Sequence, residues 1–241
     1  MGPIFRLAFR QLAGPRRLTL IFALAALPVA LSALVAAFAD NDASYQRNFI
    51  DNLLDRMLVA GILPIVTMSL ATAAFGDELE DRTLSYLVLK PIPHVSIVFP
   101  KLLASIVIAG PLLILSGVLA TVLGLDVGVR GAAAVGLAIL AGLVAYATIF
   151  TWAGLISSHA FAFALVYVIL WEGLISSFLG GVRYLSVRGY TLGIMHGVDE
   201  NEFAEISDRV IDLPVAIVGA AAVTAIFFWL TVRRLRSMEI P

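Results

Sequence analysis

A chain of 241 residues that is 61% hydrophobic, only 14% charged and has a mean hydropathy of +0.99 is too apolar for a water-soluble domain of this length. Its net charge of −1 supplies no basic field for nucleic acid. With no cysteine, it has no disulfide framework, thiolate zinc site or redox motif.

The N-terminal stretch, residues 1–17, carries Arg6, Arg10, Arg16 and Arg17. Arg6 and Arg10 are four apart and share one helical face, while Phe5, Phe9 and Leu12 share another. The pattern predicts a short interfacial helix ending near Gly14-Pro15, although a plain positively charged anchor would carry the same arginines. The apolar run that follows is too long for a signal-peptide core, and no small-residue cleavage pattern succeeds it.

Six apolar runs come next, at about 18–39, 57–75, 102–123, 131–156, 160–179 and 213–232. Each is close to the roughly 20 residues that cross a hydrocarbon core, where only helices satisfy every backbone group without a closed barrel. The fold expected is an all-α membrane protein, a single permease-like domain over 1–241 with six transmembrane helices. Pro28, Pro64 and Pro111 lie inside runs and predict kinks. Ten of the lysines and arginines fall in the N-terminal segment, the loop after the second run and the C-terminal tail, against six in the other loops. That bias predicts cytoplasmic N- and C-termini. Arg233, Arg234 and Arg236 then mark the membrane border.

The connection from the second to the third run reads FGDELEDRTLSYLVLKP. Gly76 is expected to end the second span, and Asp77 to cap a new helix with Glu80 three residues on, as in a capping box. Glu78, Glu80 and Asp81 then occupy its first turns, Lys90 its last, and Pro91 stops it. Leu84, Leu87 and Val88 form one apolar stripe on this cytoplasmic helix, 77–90. The residues alone leave the stripe's partner open between the chain's own span ends, the membrane interface and a groove on another protein.

The outer connection, 180–212, is long by comparison. Tyr184, Leu185, Tyr190, Leu192, Ile194 and Met195 are expected to dip into the outer interface, and Phe203, Ile206 and Val210 recur at helical spacing. Glu172, beside Trp171, is a carboxylate well inside a predicted span and a candidate pathway or gate residue; snorkelling, or pairing with Arg183, would also accommodate it. Hydroxyls such as Thr67, Thr72 and Thr148, and Gly136, Gly142 and Gly154, are read as helix-packing features. Met57, Met68, Met195 and His196 lack metal-site spacing, and nothing points to a catalytic residue or a metal.

The run Glu78-Leu79-Glu80-Asp81-Arg82-Thr83-Leu84-Ser85-Tyr86-Leu87, followed by Lys90-Pro91-Ile92-Pro93 and by Lys101-Leu102-Leu103, resembles the signature of type-2 ABC exporter permeases. His94 stands where the family usually has arginine, and Pro100 where it usually has glycine. The resemblance implies that 77–90 is a coupling helix seated in a cleft of a separate ABC ATPase subunit, present in two copies. Asp77, Glu78, Glu80, Arg82, Thr83, Leu84, Leu87, Val88 and Pro91 would be its contact residues. It also implies half of a translocation pathway, completed by a second permease copy or a homologous permease, in membrane lipid, with no nucleic acid. The setting would be the inner cell membrane of a prokaryote, crossed several times. The chain has no G-x-x-x-x-G-K-[ST] loop, so ATP and magnesium are expected on the partner and no cofactor on this chain, which would not be an enzyme by itself. Two other classes answer less of the sequence. A protein relaying motion to an outer partner would need a large outer domain. A membrane-embedded lipid enzyme would need clustered acids or histidines at span ends, and His159 has no carboxylate neighbour in sequence.

Overall fold

The computed structural model describes residues 2–38, 43–81, 93–125, 127–157, 159–175, 182–203 and 210–238. These residues are helical throughout, apart from short turns. Helix α1 spans Gly2–Leu12 and α2 spans Pro15–Phe38. Proline at the first position of α2, where no intrahelical donor is needed, lets the chain restart at once after Gly14.

A long second rod follows. It begins as α3 (Ala43–Asn52), takes π-helical hydrogen bonding over Leu53–Ile62, and continues as α4 (Leu63–Ala71) and α5 (Ala73–Glu80). The return to α-helical bonding coincides with Pro64, whose missing N–H removes one rung of the ladder. Next come α6 (Val95–Gly124), α7 (Val129–Ile156) and α8 (Ala160–Tyr167), the last passing into a second π-helical stretch, Val168–Ile175. A 3₁₀ turn (Val182–Leu185) leads into α9 (Val187–Val198), and α10 spans Leu213–Arg236.

Among the described residues, five helices are long and apolar enough to cross a membrane: Pro15–Phe38, Ser44–Glu80, Val95–Gly124, Val129–Ile156 and Leu213–Arg236. The predicted run 160–179 is helical over Ala160–Ile175, and its remainder lies outside the described residues. Pro28, Pro100 and Pro111 sit inside helices that continue past them, as dry surroundings favour.

Helix α7 is the hub, touching α4, α5, α6, α8, α9 and α10, while α2 packs chiefly along α6. Two hydroxyls bind α2 to α6 across their interface: Ser116 donates to the Ala25 carbonyl at 2.6 Å, and Ser32 to the Ala120 carbonyl. Other hydroxyls turn inward on their own helices instead, as Thr67 does to the Leu63 carbonyl and Thr72 to the Met68 carbonyl, both at 2.6 Å. The packing role expected of them is therefore carried by their bulk rather than by interhelical bonds. Gly154 fulfils it directly: a Cβ there would stand 2.3 Å from the Thr72 carbonyl oxygen of α4's C-cap. At Gly136 the nearest atom would be 3.6 Å away, so that glycine permits no special approach.

Helix α1 lies on α6 with Ala8 and Leu12 buried and Arg6 and Arg10 exposed on its opposite face. Phe9, expected beside Leu12, is 37% exposed, because Ala8 takes the inward position four residues before Leu12. A larger correction concerns the outer connection. Tyr190, Leu192, Ile194 and Met195, expected to lie exposed at an interface, are buried inside the protein, because α9 packs against α7 and α10. Only Tyr184 and Leu185 keep the exposure expected of interfacial residues.

Candidate functional site

Two polar constellations stand out against the apolar body, one at each end of the long second rod. The first lies at its C-terminal end, where Asp77, Glu78 and Glu80 occupy the last turns of α5. Gly76 does not break the helix, and Asp77 is not an N-cap: Gly76 N–H donates to the Thr72 carbonyl at 2.9 Å, and Asp77 passes its own carbonyl to the Asp81 N–H at 3.0 Å. A backbone group freed in an apolar setting costs more than glycine's extra entropy, so the helix runs on. The predicted helix 77–90 therefore does not begin at Asp77. Arg82, Thr83, Leu84, Leu87, Val88 and Pro91 lie outside the described residues.

Acids in the last turn face the negative end of the helix dipole, and cations from neighbouring elements offset them. Glu78 is buried and meets Lys101 of α6 at 2.6 Å. The Lys101 ammonium also donates to the Ala74 carbonyl and stands 4.3 Å from the centre of the Phe75 ring. Asp77 pairs with Arg17 of α2 at 3.4 Å, where both side chains are substantially exposed. A hollow of about 250 Å³ opens beside them, between Arg17, Thr72, Asp77, Glu80 and Phe161. The arrangement locks the last turn of the second rod to the first turns of α6. The described residues on the two sides of segment 82–92 are thus joined by a buried ion pair.

The second constellation gathers around Glu172. It neither snorkels nor reaches the surface: it is fully buried in the second π-helical stretch. Its carboxylate accepts from Ser186 Oγ at 2.5 Å, Val187 N–H at 3.0 Å, Arg188 N–H at 3.4 Å and Tyr167 Oη at 3.3 Å. Ser186 is also the N-cap of α9, its Oγ accepting from the Gly189 N–H at 3.1 Å. The first amides of α9, which have no partner within their own helix, thus find acceptors in one carboxylate and one hydroxyl. Arg188 turns the other way and forms a two-pronged pair with Asp55 of the first π-helical stretch, Nε and Nη2 each 2.8 Å from a carboxylate oxygen. The Arg183 side chain considered as a partner for Glu172 lies outside the described residues.

Sequence reasoning singled out Glu172 but missed Lys101 and Arg188 as site residues, and missed Asp55 and Ser186 altogether. A lysine at the head of an apolar run opposite a carboxylate at the tail of the previous one was the available signal for Lys101. The pattern Ser-x-x-Gly before an apolar helix was the signal for Ser186. For the Asp55–Arg188 pair, 133 residues apart, there was none.

A family model described as ABC-2 family transporter protein matches residues 16–185. The chain belongs to that family. It is a multi-pass membrane permease of an ABC transporter, and a permease of this family normally works with an ABC ATPase. The match runs from the start of α2 to the turn before α9, so it takes in Asp55, Glu78, Lys101 and Glu172. No curated protein matches the chain.

Proposed function

We propose that this permease is the transmembrane subunit of an ATP-driven exporter, forming half of the translocation pathway and receiving motion from a separate ATPase subunit. The observation that carries the reading is the buried Glu78–Lys101 pair. It joins the two ends from which the signature segment 82–92 departs, so a push on that segment would reach the second and third spans together. The segment's Leu84, Leu87 and Val88 make an apolar stripe suited to a cleft on the partner, with Arg82 and Lys90 as flanking charges.

In this reading six spans cross the inner membrane of a prokaryotic cell with both termini cytoplasmic, α1 lies along the inner interface, and two permease copies meet two ATPase copies. The chain binds no cofactor of its own, and ATP with magnesium resides on the partner. Glu172 belongs to the outer end of the pathway. Leu84→Ala combined with Leu87→Ala tests the coupling. Truncating hot-spot leucines costs on the order of 2 kcal/mol or more each, so co-purification of the ATPase should fall more than tenfold while the permease still inserts. Full retention of the ATPase by that variant would refute the docking role of the stripe.

A further inference from the structure

We infer that Asp55 and Glu172 are positioning residues for transport: from the two π-helical stretches they clasp the first turn of α9, and the clasp opens and closes as cargo leaves. The inference deepens the transport reading and rests on it.

Helix α9 occupies space among the spans. Thr191 at its centre is fully buried, and a Cβ on Gly142 of α7 would stand 2.4 Å from its hydroxyl. So tight a seat against α7 has to be held in place or left as a unit. Val187 and Tyr190 of its N-terminal turn are buried in the apolar core, and the polar groups of the same turn are gathered on two carboxylates. Glu172 takes the Ser186 hydroxyl and the amides of Val187 and Arg188, and Asp55 takes the Arg188 guanidinium. Directional bonds of this kind can be exchanged for water or for polar groups of a passing solute. An apolar contact of the same area has no such substitute.

The two carboxylates also sit where the backbone has an alternative. A π-helical stretch bonds i→i+5, one residue out of step with the surrounding α ladder, and such stretches gather at functional sites. One residue of register in an α-helix is about 100° of rotation about its axis, enough to carry a carboxylate from the α9 side to another face. Asp55 and Glu172 lie in separate rods, at Leu53–Ile62 and Val168–Ile175, that touch one another. Motion delivered to either rod therefore bears on the same helix end.

The chain has no native cysteine, which permits a clean reporter. Thr191→Cys is placed in native membranes carrying the whole transporter, and its reaction rate with a small maleimide is measured. Variants are compared only where the detergent-extracted complex elutes at the parent's size. The buried thiol should be nearly inert in the parent. Asp55→Asn or Glu172→Gln should speed labelling about tenfold, and the exchanged pair Asp55→Arg with Arg188→Asp should return it to near the parent rate. In the parent, ATP should raise the rate several-fold over ADP. Equal rates in all variants, an exchanged pair as fast as the single variants, or identical rates with ATP and ADP would each overturn the clasp. Vanadate-sensitive ATP hydrolysis in the same membranes checks the transport reading separately. Its absence would refute that reading while the order of the variant rates still reports on α9's attachment.

Discussion

Substituting Lys101 by methionine keeps most of the side chain's volume and leaves the Glu78 carboxylate without the cation that lies 2.6 Å from it. Both side chains are almost fully withdrawn from solvent, at 2% and 8% exposure, so water cannot replace the lost partner. Breaking one side of a buried pair costs about 3–5 kcal/mol, since the remaining charge keeps its desolvation penalty and loses its compensation. The ring contact with Phe75 disappears as well, which adds about 0.5–2 kcal/mol. At about 2–4 °C per kcal/mol for a chain of this size, the melting temperature of the detergent-solubilised permease should fall by at least about 6 °C. The double variant Glu78→Leu with Lys101→Met removes both charges, and an apolar pair in that place is close to neutral. It should therefore recover most of the loss, and the cycle should show strong coupling between the two sites. A drop of less than about 2 °C for Lys101→Met, or single losses that simply add in the double variant, would refute the claim that this pair joins the second and third spans.

The contrast with the exposed pair at the same end is a second test: Arg17→Ala, opposite Asp77 at 3.4 Å, should change stability by no more than about 0.5 kcal/mol. Gly154→Ala drives a methyl to within 2.3 Å of the Thr72 carbonyl and should cost about 1–3 kcal/mol, whereas Gly136→Ala, with 3.6 Å of clearance, should be neutral or stabilising; thermal melts of both variants decide it. Ser116→Ala removes an interhelical hydrogen bond to Ala25 and should cost about 0.6 kcal/mol, up to about 1.7. Thr67→Val removes a bond only to its own helix and should cost less. For topology, single cysteines at Ser44, Ser85 and Ser207 are probed on intact cells with an impermeant thiol reagent. Ser44 and Ser207 should label and Ser85 should not, and the reverse pattern would overturn the proposed orientation.

Local features of the chain were legible without coordinates, because a membrane environment makes them nearly obligatory. A run such as Leu102–Leu123 has no option in lipid but a helix, and so it appears inside Val95–Gly124. Arg6 and Arg10, four apart, share the exposed face of α1 for the same local reason, and Pro15 restarts the chain where its missing donor costs nothing. The signature around Glu78 to Lys101 was enough to point to the family. Local rules failed where a distant partner outweighed them. Gly76 and Asp77 read as a break and a cap, yet the dry surroundings and the cations Arg17 and Lys101 carry α5 through both. Tyr190 and Met195 read as interfacial because their apolarity does not say what covers them; α7 and α10 do. The same holds for charge. Glu172 stood out as costly in a span, but only the folded chain brings Ser186 and the first amides of α9 to it, and sets Asp55 against Arg188 across 133 residues. Helix formation depends on neighbours within a turn or two, which a sequence displays. The pairing of buried charges depends on which helices pack together, and that is decided by the shape of the whole bundle.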